Sequence, residues 1–111
     1  MSGMSLKEWF KVAIDELGFS LDVRPPGGEP WTARILWSDV VRVCLKPEGL
    51  ELSDGIYVFV RQRPESYVIP TEAEGGSELL FALADHGLFK HELIVEAMTG
   101  SGLYCWPPVD Q

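Results

Sequence analysis

"WTARILWSDVVRVCLK", Trp31 to Lys46, alternates, breaks and alternates again. On an extended chain Trp31, Ala33, Ile35 and Trp37 fall on one side, with Thr32, Arg34 and Leu36 on the other. Ser38 and Asp39 interrupt the run, because short polar side chains hydrogen-bond nearby backbone and turn a strand. Val41, Val43 and Leu45 then resume the period of two, which predicts a second strand with those three inward. Successive strands joined by short turns favour an antiparallel sheet.

The same rhythm extends in both directions. "FSLDVRP" puts Phe19, Leu21 and Val23 on one side of a strand, and "RPPGGEP" after it is an irregular, mobile loop. "PEGLELSDG" reads as a turn region with Gly49 and Gly55 supplying backbone freedom, and Asp54 turning the chain as Asp39 does. "IYVFVRQ" is almost wholly β-branched or aromatic, which suits a central strand. "RPES" turns, "YVIP" is a short strand ended by Pro70, and "LYCW" before Pro107 and Pro108 reads as a short edge strand.

Helical signals flank this sheet. Over residues 5–17, Leu6, Trp9, Phe10, Ala13, Ile14 and Leu17 recur at three- and four-residue intervals. Ser5 and Glu8 match the S-x-x-E capping box, and Gly18 stands where a helix ends. Two further helices are predicted, Ser77–His86 stopped by Gly87 and Lys90–Thr99 stopped by Gly100. The expected architecture is α+β in one domain over residues 1–111. An N-terminal helix precedes an antiparallel meander of about five strands, and two C-terminal helices follow. By element order alone, the closest shape is a partly open barrel of the pleckstrin-homology-like kind.

Composition narrows the partners. Seventeen acidic against nine basic residues give a net charge of −8, and the basic residues are scattered rather than clustered. Nucleic acid and anionic membranes both demand concentrated Lys and Arg, so neither is an expected partner. A basic protein would suit the charge. The N-terminus has no continuous apolar run of signal-peptide type, and no stretch approaches the roughly 20 apolar residues of a membrane span. With only two cysteines, the expectation is a cytoplasmic protein whose thiols are reduced.

Gly75–Gly76 follows a strand and precedes a helix, the order in which many proteins hold phosphate. Glu72, Glu74 and Glu78 surround the pair, however, and no Lys or Arg lies between Arg63 and Lys90. Carboxylates there already complement the helix dipole, so a turn into a helix is the better reading. The acidic trio matches no known cation loop. His86 and His91 are separated by Gly87 and supply too few ligands for zinc, so no metal or cofactor is expected. Cys44 falls on the polar side of its strand beside Arg42 and Lys46, and Cys105 sits between Tyr104 and Trp106. Burial as small apolar groups is the expected fate of both, and no catalytic residue is assigned. Of four tryptophans, Trp9 and Trp37 are assigned to the core. Trp31 and Trp106 flank Pro-rich turns and are expected, with Tyr104, to form an exposed aromatic patch. Glu72 and Glu74 add an acidic corner that a basic partner could read.

From Ile35 to Trp106 the chain carries "WSDVVRV", "SDGIYVF", "IPTEAEG" and "ELLFALADHGLF". This pattern resembles small uncharacterised bacterial proteins, some of which look like immunity proteins of toxin systems. The resemblance implies neutralisation of a cognate toxin and no catalytic residues. The expected function is therefore a non-enzymatic binding protein acting through a protein–protein interface. The alternatives are a small enzyme using a thiol or His86, or a small-ligand binder in the mouth of the sheet.

Overall fold

The computed structural model describes residues 5–47 and 54–108. Along them run a one-turn helix α1 (Leu6–Trp9) and strands β1 (Phe10–Ile14), β2 (Gly18–Val23) and β3 (Trp31–Leu36). A single 3-10 turn (Trp37–Asp39) leads to β4 (Val40–Lys46), β5 (Gly55–Val60) and β6 (Tyr67–Pro70). Helices α2 (Gly76–Asp85) and α3 (His91–Thr99) and strand β7 (Tyr104–Trp106) complete it. The fold is α+β. Its strands make two antiparallel sheets, β1-β2-β3 and β6-β5-β4-β7, and neither closes on itself. This corrects the single meander: the 3-10 turn at Trp37–Asp39 carries the chain from one sheet to the other, so β3 and β4 do not pair. Gly49 of the predicted turn region lies outside the described residues.

Five of these strands are the predicted ones; β1 and β7 flank them in the sequence. β7 is the edge strand expected from "LYCW". β1 corrects the N-terminal helix, which stops after Trp9. Phe10–Ile14 satisfies both periods, and packing decides between them. As a strand it pairs Phe10 with Val23, Val12 with Leu21 and Ile14 with Phe19. That register leaves Phe10 and Val12 only 5% and 8% exposed, on the side shared with Phe19, Leu21 and Val23. A ready partner one turn away outweighs helix propensity here, and β-branched Val12 and Ile14 suit the pleat. Leu17, the last residue of the expected helical stripe, is 70% exposed.

The supposed helix end is a hairpin turn. Asp15 Oδ1 accepts hydrogen bonds from the Leu17 and Gly18 N–H groups at 2.9 and 3.1 Å. Gly18 is needed for closeness rather than capping, since a Cβ there would run into the Ile35 carbonyl oxygen of β3. The Ser5 side chain makes no cap hydrogen bond; only its carbonyl accepts, from Glu8 N–H at 2.9 Å.

One apolar core joins the sheets and the helices. Phe19, Ile56, Val58, Ile69, Leu79 and Leu83 are fully buried, each contributing about 1.5–3 kcal/mol of transfer free energy. A register shift between Val40 and Arg42 changes which valines face it. Val40 and Val43 point in, whereas Val41, expected inward, is 49% exposed. The free side of β1 is covered by the segment after β6. Val12 N–H donates to the Glu74 carbonyl at 2.7 Å, and Glu74 N–H to the Phe10 carbonyl at 3.0 Å. Gly75, at φ 80°, begins α2 there, and a Cβ would collide with the Val12 carbonyl oxygen. Ser77 is inside the helix rather than its cap, and its hydroxyl donates to the Thr71 carbonyl at 3.3 Å.

Candidate interaction cleft

β7 is three residues long and pairs with β4 on one side. Trp106 stands opposite Val43, Cys105 opposite Cys44 and Tyr104 opposite Leu45. The central pair is bonded: Cys44 and Cys105 form a disulfide across 61 residues of sequence. This corrects the expectation of reduced thiols. Both sulfurs are spent in the bond, so the thiol-enzyme alternative loses its nucleophile. The facing cysteines were invisible in the sequence because only the β4–β7 register brings them together. Cys44 does lie on the face of β4 shared with Arg42 and Lys46, yet it is 4% exposed because Cys105 covers it.

Beyond β7 the strand is clasped by Arg42. Its guanidinium donates to the carbonyl of Pro107 at 3.0 Å and of Pro108 at 3.3 Å. Between this segment and the start of α3 opens a cleft of about 720 Å3. Its walls are mainly apolar: Tyr104, Trp106, Leu103 and Pro108 on one side, Leu93 on the other. Lys90 and Glu92 give it one charge of each sign. The Lys90 ammonium sits 4.5 Å from the Trp106 ring centre, a cation–π contact that holds the indole side-on to the cleft. Leu103 at the lip is 57% exposed.

Strand addition is a poor use of this edge. A disulfide-bridged cross-strand pair turns its own N–H and C=O away from its partner strand, so Cys105 alone presents both to the open side. Pro107 beyond it has no N–H to give. Recognition at β7 therefore falls to side chains.

The structure brings Tyr104 and Trp106 together and sets Trp31 apart. Trp31 stacks on Tyr67 with ring centres 6.5 Å apart and meets the edge of Phe10 at 6.3 Å. Arg63 lies over Tyr67 at 4.3 Å. Tyr67 belongs to β6, the far edge of the sheet from β7, three strand spacings or about 14 Å away. Glu72 and Glu74 line a third place, a cleft of about 440 Å3 shared with Lys7 and Glu78. Gly75 there is pinned against β1 rather than open to a ligand. Among the described residues no three His, Cys, Asp or Glu side chains converge as a metal site requires.

His86 ends α2 with its ring stacked on Trp37 at 4.4 Å. His91 Nε2 lies 3.2 Å from Asp85 Oδ1, but the two side chains are 56% and 70% exposed, on open surface. A general base there would have no walls to hold a substrate. Asp39 ends the 3-10 turn; its carbonyl accepts the Arg61 N–H at 3.1 Å and its carboxylate lies 3.6 Å from the Arg61 guanidinium. Among the described residues no helix is long and apolar enough to cross a membrane.

No family model matches the chain, and no curated protein or solved structure matches it.

Proposed function

We propose that this chain is a non-enzymatic binding protein that engages a basic protein partner through the cleft between β7 and α3. The observation that carries the reading is the exposed apolar cleft itself. Trp106, Tyr104 and Leu103 lie side by side at a sheet edge, the residue types and grouping of an interface hot spot. The net charge of −8 favours a partner of opposite sign by speeding encounter. Neutralisation of a bacterial toxin, as immunity proteins do, is its concrete form. We read the two sheets, with the segment after β6 hydrogen-bonded along β1 at Glu74, as a partly open barrel of the pleckstrin-homology-like kind that presents β7 at its rim.

The test is affinity capture with the intact chain and with Trp106→Ala and Trp31→Ala variants, identifying what is retained. The reading expects one basic protein, with an isoelectric point above about 9, that high salt weakens. Trp106→Ala should lower its affinity at least about 30-fold, the loss of one hot-spot side chain. Trp31→Ala should leave it nearly unchanged. Undiminished binding by Trp106→Ala overturns the cleft. Loss in Trp31→Ala alone moves the site to the Trp31–Tyr67 stack. A volume of about 720 Å3 is also large enough for a small apolar ligand carrying an anionic group toward Lys90. Recovery of such a molecule, and of no protein, would replace the first reading with this one.

A further inference from the structure

We propose that the Cys44–Cys105 disulfide is a redox latch: its reduction releases β7 and dismantles the cleft without unfolding the rest of the domain. Five of the eight residues lining the cleft, Leu103 to Trp106 and Pro108, belong to the β7 segment. The cleft therefore exists only while that segment is docked. Apart from the covalent bond, β7 is docked by three paired residues, one cation–π contact at Lys90, two hydrogen bonds from Arg42 and the partial packing of Tyr104 and Trp106 against the core. None of its three residues is fully buried, whereas β5, on the far side of β4, contributes Ile56 and Val58 at 0% exposure. The segment with little buried area is the one able to open on its own.

The bond is placed so that it can be reached. Cys105 is half-buried and borders the cleft, while Cys44 is enclosed. A thiolate of a small dithiol attacks Cys105 Sγ and forms a mixed disulfide, and Cys44 Sγ leaves with the electron pair. Arg42 and Lys46, two residues to either side on the same face of β4, favour the departing thiolate, which then takes a proton from water. The second thiolate of the dithiol resolves the mixed disulfide, freeing Cys105 and leaving the dithiol oxidised by two electrons. In a reducing compartment the thiols expected from the sequence are the released state; under oxidation the cleft forms.

The latch is a property of the chain; its role as regulator rests on the partner reading above. Amide hydrogen exchange of the oxidised and dithiol-reduced protein tests the first part. Exchange at the Tyr104 and Trp106 amides, which face β4, should rise at least about 10-fold on reduction, with β5 unchanged, and a Cys44→Ser/Cys105→Ser variant should behave as the reduced protein under either condition. Iodoacetamide should add twice, and only after reduction. Unchanged exchange at Tyr104 and Trp106, equal loss of protection in β5, or double alkylation without reductant each overturns the latch. Partner capture before and after reduction tests the second part. If β7 loosens and capture persists undiminished, the latch stands and the cleft is not the partner's site.

Discussion

β1 and β7 are the first and last strands and each edges one of the two sheets, yet they are attached in opposite ways. β1 is joined to β2 by a three-residue connection and five register pairs. Its outer side is closed by two backbone hydrogen bonds with Glu74. β7 has three register pairs, a disulfide to a residue 61 positions earlier, and an open outer side bordering a cleft. A strand held by its neighbours in sequence and covered on both sides has only a structural part to play. One held across the chain by a single covalent bond, with aromatic side chains half-exposed, is available to a partner.

Truncation at the two ends should therefore fail differently. Phe10→Ala empties a buried site beside Trp9 and Trp31, and the expected loss is about 3–5 kcal/mol in denaturant unfolding. A loss below about 1 kcal/mol would mean that β1 is not anchored in the core. Gly75→Ala strikes the cover of the same strand. It forces a side chain into a positive-φ position and against the Val12 carbonyl, for an expected loss of about 2 kcal/mol. Trp106→Ala is expected to lower stability by only about 1 kcal/mol while removing most partner affinity. Equal stability losses for Phe10 and Trp106 would erase the contrast between the two ends.

The same contrast explains what the sequence could say. β2, β5 and α2 were legible because their apolar residues fit one period and its burial: Phe19, Leu21 and Val23, or Leu79, Leu80 and Leu83. β1 was misread because Phe10, Val12, Ala13 and Ile14 fit two periods, and a tertiary partner made the choice. Val41 depended on a register shift that no local pattern encodes. At the candidate site Tyr104 and Trp106 could be picked out as aromatics beside Pro107 and Pro108, and the structure leaves both half-buried. The disulfide, the Arg42 clasp and the α3 wall were not, because each joins positions distant in sequence. Trp31 was grouped with them for its residue type alone, which carries no information about distance.

The smallest effect belongs to the turn that fastens β1. Arg34 of β3 reaches across β2 and holds Asp15 with two hydrogen bonds, at 2.8 and 2.9 Å. The Arg34 guanidinium, then the Leu17 N–H, hold the Asp15 carboxyl down from 3.8 to about 2. A lowered folded-state value means that the unfolded chain binds the proton more readily in that interval. The contribution is thus complete above about pH 4 and is lost as pH falls through about 2. Being on the surface, the pair is weakened by salt. Asp15→Asn should unfold at slightly lower urea than the parent protein at pH 7, and the gap should close between about pH 4 and pH 2. Comparing the two proteins at each pH cancels every other carboxylate. No gap at any pH would mean that Asp15 acts only as a turn-forming acceptor, a task Asn performs equally well, and that Arg34 adds nothing to the attachment of β1.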